Sequence, residues 1–185
     1  MFLVRHGESE FNKAFRKTRR DPGIVDPPLT PLGVQQIKQT ANFFRDKDIQ
    51  LCVSSPYQRA LETSAVLFDL TDQSLTVNFL VGEQFGFTCD IGSPRSELEK
   101  KWPQIDFESL TEVWWPSEPE TDDAVGQRGA LFLSETSNRF LNPDKLTIVS
   151  HWGFIKSLTG LSVGNGSVVE FREDRSNSVV YQPPL

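Results

Sequence analysis

Short β-rich runs alternate with helix-periodic segments along almost the whole chain, and that alternation restricts the fold to an α/β layered domain with a largely parallel sheet. Phe2 to Val4 is the first apolar run, and it breaks off at the polar group Arg5-His6-Gly7-Glu8-Ser9. Thr30 then caps a helix with Pro31 at its first position, and Val34, Ile37, Ala41 and Phe44 recur on one face. Ile49 to Ser54 reads as a second strand. Pro56 opens a helix with Arg59 in its first turn, and its Ala60, Leu61, Ala65 and Leu67 to Phe68 can pack on the sheet. Leu75 to Val81 is a third strand, followed by the stretch from Gly82 to Glu120, which is rich in Gly, Pro and Trp and carries no regular period. A helix from Thr121 to about Phe140, a strand from Leu146 to Ser150 and a helix reaching about Gly160 come next. Val168 to Phe171 and Val179 to Tyr181 close the chain as a pair of strands.

No repeat, linker or composition break divides residues 1–185, and 37% hydrophobic content suits one domain with a buried core. The formal net charge of −6 gives no basic field for a polyanion, so nucleic acid is disfavoured as a partner. Cys52 and Cys89 have neither the number nor the spacing of a disulfide framework or a zinc site and read as free thiols. With no leader-like start and no run of about 18 apolar residues, a cytoplasmic protein without a membrane span is expected. Asn165-Gly166-Ser167 matches a glycosylation acceptor formally, but the Gly-Asn-Gly context reads as a turn.

The chain has only two histidines, His6 and His151, and each directly follows the C-terminal end of an expected strand. In open α/β sheets that edge is where ligands bind. The sequence around His6, Phe2-Leu3-Val4-Arg5-His6-Gly7-Glu8-Ser9-Glu10-Phe11-Asn12, resembles the signature of the histidine phosphatase superfamily, which includes the cofactor-dependent phosphoglycerate mutases. Three further blocks follow in the family's order: Pro28-Leu29-Thr30-Pro31-Leu32-Gly33, Ser54-Ser55-Pro56-Tyr57-Gln58-Arg59-Ala60 with Thr63, and Val149-Ser150-His151-Trp152-Gly153. The resemblance implies a three-layer α/β/α sandwich with a mixed, mainly parallel central sheet. It also implies metal-independent phosphoryl transfer with no cofactor, His6 as nucleophile, and a phosphate pocket of Arg5, Arg59 and His151, with Asn12 and Trp152 also on the substrate.

These residue types suit that chemistry on general grounds. A neutral imidazole attacks phosphorus well, and a covalent phosphohistidine divides one slow hydrolysis into two easier transfers. Neighbouring cations keep the imidazole unprotonated. Arg5 and Arg59 offer forked donors matched to phosphoryl oxygens, and a protonated His151 adds a donor where transition-state charge accumulates. The leaving alkoxide also needs a proton, which a carboxyl group can supply and later recover. Glu83, in Val81-Gly82-Glu83-Gln84-Phe85-Gly86, resembles the family's acid; Glu8 is the competing carboxylate.

Other features read as support. Glu120-Thr121 followed by Arg128 resembles the family's GES-x-x-x-x-x-x-R segment, with Pro119 in place of its glycine. Trp114, Trp115 and Trp102 either wall a substrate pocket or bury area beneath the long loop. The basic group Arg16, Lys17, Arg19 and Arg20 either attracts an anionic substrate or is solvated surface. The expected function is a metal-independent phosphatase acting on a small phosphorylated metabolite. A mutase-type phosphotransferase and a catalytically weak phospho-ligand-binding module are the alternatives. A metallohydrolase is disfavoured, because two histidines without a close carboxylate or cysteine grouping make a poor metal site.

Overall fold

The computed structural model describes residues 1–68, 75–139, 145–172, 174 and 176–184. Its centre is a six-stranded sheet in the order β3-β2-β4-β1-β5-β6. The strands are β1 (Phe2–Arg5), β2 (Leu51–Ser54), β3 (Leu75–Val77), β4 (Leu146–Ser150), β5 (Val168–Glu170) and β6 (Ser178–Tyr181). β1 to β4 are mutually parallel where they pair, whereas β5 runs antiparallel to β1 and β6 antiparallel to β5.

The period of two along a strand sends alternate side chains to opposite faces, and both faces are apolar. Leu3, Val53, Ile148 and Val169 face one way, packing with Val125 and Phe132 of α5 (Asp122–Arg139) and with Phe154 and Ile155 of α6 (Trp152–Thr159). Val4, Cys52, Val149 and Val168 face the other, against Ile37 and Phe44 of α2 (Pro31–Phe44) and Ala60 and Leu67 of α3 (Gln58–Leu67). The result is the three-layer α/β/α sandwich with a mixed, mainly parallel sheet.

Thr30 caps α2 as expected, its hydroxyl accepting the Gly33 N–H at 2.9 Å. Gly33 is required there for a second reason: a Cβ at this position would lie 2.1 Å from the carbonyl oxygen of Glu8, so only glycine lets α2 press on the loop after β1.

Several boundaries differ from expectation. α3 starts at Gln58 rather than Pro56, because Tyr57 stays extended (φ −63°, ψ 140°) as the N-cap. The third strand stops at Val77, since the Asn78 side chain accepts the Leu80 N–H at 2.9 Å and turns Phe79–Val81 into a 3₁₀ segment. A helix not anticipated, α1 (Glu10–Thr18), opens at a reciprocal Ser9–Asn12 capping box; its apolar face is short, Phe11, Ala14 and Phe15, and of these only Phe11 is buried. The 82–120 stretch contains a short helix, α4 (Arg95–Lys101), above a third core of Tyr57, Leu61, Leu98, Ile105, Phe107, Leu110 and Trp114. Phe140, expected near the end of α5, lies outside the described residues. No helix among the described residues is long and apolar enough to cross a membrane.

Candidate active site

Because β1 and β4 are parallel neighbours with Arg5 opposite Ser150, the residues that follow them leave the sheet side by side. His6 and His151 therefore stand with ring centroids 5.1 Å apart, and both are buried. The His6 N–H donates to the Ser150 carbonyl at 3.0 Å, and the Asn165 amide and Gly166 N–H hold the carbonyls of His6 and Arg5 at 3.0 Å each. Asn165-Gly166 is thus a turn, with Gly166 at φ +74°, and it braces the loop that carries the first histidine.

The Gly7 carbonyl lies 2.7 Å from His6 Nδ1. A carbonyl only accepts, so Nδ1 carries the proton and Nε2 keeps its lone pair. Burial, reinforced by Arg59 and Arg5, holds the His6 imidazolium well below its usual range, so the ring is neutral. His151 is likewise depressed, by burial and then Arg59, and its Nε2 lies 2.8 Å from Ser55 Oγ. Beside the arginines the ring is neutral, and the protonated His151 expected from the sequence would need the charge of a phosphoryl dianion.

Arg5 and Arg59 complete the floor. Arg5 Nη1 donates to the Val163 carbonyl at 2.6 Å, and burial lowers its pKa to about 10 against the opposing pull of Glu83. Arg59 donates to the Cys89 carbonyl at 2.8 Å and to Asp90 Oδ1 at 3.2 Å, beneath the Tyr57 ring. Arg5 Nε and His151 Nδ1 are buried polar atoms with no hydrogen-bond partner among the described residues. Buried groups of this kind call for a ligand, since leaving each unmet costs about 1–3 kcal/mol.

Glu83 follows the 3₁₀ turn and is fixed from two directions. Its Oε1 accepts the N–H groups of Gln84 and Gly153 at 2.9 and 2.8 Å, the latter at the start of α6. Arg128 grips the carbonyls of Leu80, Gly82 and Glu83 at 2.7, 3.0 and 2.9 Å while pairing with Glu120 at 2.8 Å. The Glu120/Arg128 segment thus supports the Glu83 turn despite Pro119. Burial and the nearby Asp90 carboxylate raise the Glu83 pKa above 4.5, overcoming Arg59 and Arg5. Glu8 is occupied elsewhere: its carboxylate accepts the Thr30 hydroxyl at 2.9 Å and pairs with Arg16.

Arg5, His6, Arg59, Glu83 and Asp90 form the floor of a cavity of about 530 Å³, and His151 lies buried behind the His6 ring rather than in its lining. Asn12 lines it too, with Oδ1 spent on the Ser9 cap and on Asn165 at 3.1 Å, leaving its amide donors. Trp152 lines the side, its indole N–H anchored on Ser162 at 2.9 Å. Of the basic group only Arg19 reaches the cavity. Trp114 and Trp115 do not; they border an adjoining cavity of about 260 Å³ that Glu83 and Glu120 also line, and Trp102 packs against the third core.

His6, Glu83 and His151 each offer a ligand atom, all within 4.8 Å of one another, a juxtaposition that sequence spacing did not suggest. Arg5 and Arg59 add fixed positive charge beside them, so the set suits an anion better than a cation. Sequence reasoning missed Asp90, which accepts from Arg59 and also from the N–H groups of Gly86 and Phe87 at 3.1 and 2.9 Å. An acidic residue in an unpatterned loop gives no signal of such a contact.

Known proteins resemble this chain over most of its length. The glucosyl-3-phosphoglycerate phosphatase of Mycolicibacterium vanbaalenii is 27% identical, over 91% of this chain and 78% of its own. The 2,3-bisphosphoglycerate-dependent phosphoglycerate mutase of Allorhizobium ampelinum is also 27% identical, over 85% of this chain and 76% of its own. Among solved structures, a mycobacterial glucosyl-3-phosphoglycerate phosphatase complexed with VO3 superposes with a TM-score of 0.66 at 19% identity, covering 99% of this chain and 98% of that one. The model of the histidine phosphatase superfamily (branch 1) matches residues 1–173, and with its signature residues gathered at one sheet edge the chain belongs to that superfamily.

Proposed function

We propose that this protein hydrolyses a small phosphomonoester through a phosphohistidine on His6, with Glu83 as proton donor and acceptor. The observation that carries this reading is the pairing of opposite perturbations on one cavity floor: a neutral imidazole with its Nε2 lone pair free, and a carboxyl group whose pKa is raised. Such a split is how a site separates its nucleophile from its acid.

His6 Nε2 attacks phosphorus as the ester P–O bond breaks, and the leaving alkoxide takes the proton of Glu83. A water then attacks the phosphoryl group and gives a proton to the Glu83 carboxylate, so the P–N bond breaks, inorganic phosphate leaves and both residues are restored. Arg5, Arg59, Asn12 and His151 would receive the phosphoryl oxygens, with Trp152 beside the leaving group. The relatives include one named as a phosphatase and one named as a mutase, so the acceptor, water or a bound substrate, is what distinguishes the two readings. Water as acceptor is favoured by the apolar share of the cavity beyond the floor, where Phe11, Phe15, Phe85, Phe87 and Trp152 stand among Ser9, Asn12, Arg19, Gln84 and Glu120 and leave few polar groups to hold and reorient a sugar acid.

The test is phosphate release from a panel of phosphomonoesters with chelator present, for wild type, His6→Ala and Glu83→Gln. Expected are chelator-resistant turnover, its loss in His6→Ala, and a fall of about a hundredfold or more in kcat for Glu83→Gln. Turnover persisting in His6→Ala would refute the phosphohistidine.

A further inference from the structure

Beyond its charged floor the cavity is walled by five aromatic rings set among Ser9, Asn12, Arg19, Gln84 and Glu120. Phe11 and Phe15, one turn apart on α1, stack with centroids 5.4 Å apart and planes 12° from parallel. Phe87, from the opposite side of the chain's long loop, meets them at 5.6 and 5.4 Å, and Phe85 and Trp152 extend the surface. Phe87 is 46% exposed and Phe15 has no core to enter, since only Phe11 of α1 is buried. Phe11 is buried behind this pair, so the apolar surface open to the cavity is that of Phe87 and the half-buried Phe15, and open rings beside a charged floor mark a ligand-binding wall rather than a core.

The wall is fixed before any ligand arrives. The Asp90 carboxylate holds the N–H groups of Gly86 and Phe87 at 3.1 and 2.9 Å, and Asp21 holds the N–H and hydroxyl of Thr88 at 2.8 and 2.7 Å. The second tie joins the segment after α1 to the Phe87 loop, so both sides of the wall keep their spacing. Charge is scarce above the floor. Glu120 is taken by Arg128, and among the described residues Arg19 is the one cation lining the cavity outside the floor. Arg19 is exposed, and an ion pair in that setting contributes little.

We propose that the ester's alcohol portion is an apolar, ring-bearing group, as in an aryl or arylalkyl phosphate, received on the Phe11, Phe15 and Phe87 wall. A carboxylate-bearing alcohol such as a sugar acid is disfavoured. This rests on the reading of the floor as a phosphoryl site, but it concerns binding and can be read without turnover.

The experiment is calorimetric binding of two non-hydrolysable probes, 2-phenylethylphosphonate and 3-phosphonopropanoate, to wild type, Phe15→Ala and Phe87→Ala, with inorganic phosphate as the probe of the floor. The phenyl probe is expected to bind wild type roughly tenfold more tightly than the carboxylate probe, the effect of covering one ring's face. Either alanine substitution should erase most of that preference. Rescue in Phe15→Leu, apolar but not aromatic, would be partial. The inference is overturned if the carboxylate probe binds as tightly as the phenyl probe, if the preference survives both substitutions, or if phosphate affinity falls in step with phenyl affinity. If phosphate itself does not bind while the phenyl preference stands, the phosphoryl reading fails and the aromatic one survives.

Discussion

Replacing Asp90 by asparagine changes one atom and should destabilise the fold more than most single changes. Asp90 and Arg59 are both almost fully buried, and the carboxylate accepts from Arg59 Nη2 at 3.2 Å, Gly86 N at 3.1 Å, Phe87 N at 2.9 Å and Cys89 Sγ at 3.3 Å. An amide has one oxygen. Turned toward Gly86 and Phe87, it aims its NH₂ at a guanidinium; turned toward Arg59, it aims NH₂ at two backbone N–H groups. Losing a bond to a charged partner costs about 1.5–3 kcal/mol, and a buried donor left unmet about 1–3 kcal/mol. Together they give about 4 kcal/mol, within the range for breaking one side of a buried ion pair. With a urea m-value of about 2 kcal/mol/M, the unfolding midpoint of Asp90→Asn should fall by about 2 M. The retained Arg59 contacts, the Cys89 carbonyl at 2.8 Å and the Tyr57 ring at 4.4 Å, keep the guanidinium near its place. Because Asp90 also raises the Glu83 pKa, the alkaline limb of the kcat profile should move to lower pH in the variant. A midpoint within about 0.5 M of wild type, roughly 1 kcal/mol, would show that the pair is not structurally important.

Gly153→Ala places a Cβ 2.6 Å from Glu83 Oε1 and 2.8 Å from Gln84 Cβ. It should lower kcat with little effect on phosphate affinity, and a wild-type kcat would count against Glu83 as the acid. Gly33→Ala must push on the Glu8 carbonyl, 2.1 Å away and part of the backbone, so a loss of about 3 kcal/mol or more in urea unfolding is expected. For pH dependence the signs oppose each other. His6 and His151 titrate below 6.5 when folded, so the stability tied to their neutral forms is complete above pH 6.5 and is lost as pH falls toward their folded values. Glu83, raised above 4.5, contributes stability that is present below 4.5 and lost as pH rises through its folded value. With two groups against one, the urea midpoint should fall between about pH 7.5 and 5.5, and by less in His6→Asn. An unchanged midpoint in wild type would contradict the buried neutral pair.

The parts of this structure legible in the sequence are those whose signals are local. Thr30 and Pro31 mark the start of α2, and the apolar runs before His6 and His151 mark the two strands that set the site. The long loop stayed opaque because its order is supplied from elsewhere in the chain: Tyr57 and Leu61 of α3 supply part of its core, and Arg59 supplies the partner of Asp90. α1 gives a weak signal because its apolar face is only Phe11, Ala14 and Phe15, too short a stripe to stand out, and Phe15 finds its further contact on Phe87 from the long loop. The sequence predicts too long a third strand because Leu80 and Val81 are as apolar as a strand requires, yet they reach the core from a 3₁₀ turn.

The strand order also sets a timetable for the chain's synthesis. β1 leaves the ribosome first, but its two neighbours, β4 and β5, begin at Leu146 and Val168. Until those segments emerge, Phe2–Arg5 has neither hydrogen-bonding edge filled, and an apolar strand in that state is open to the wrong partner. The helices and the β2–β3 pair can form early from nearby sequence, whereas the centre of the sheet must wait for contacts across more than 140 residues. Folding should therefore be slow for a chain of this size and sensitive to truncation near the C-terminal third, because the last strands delivered are the ones that lock the first in place.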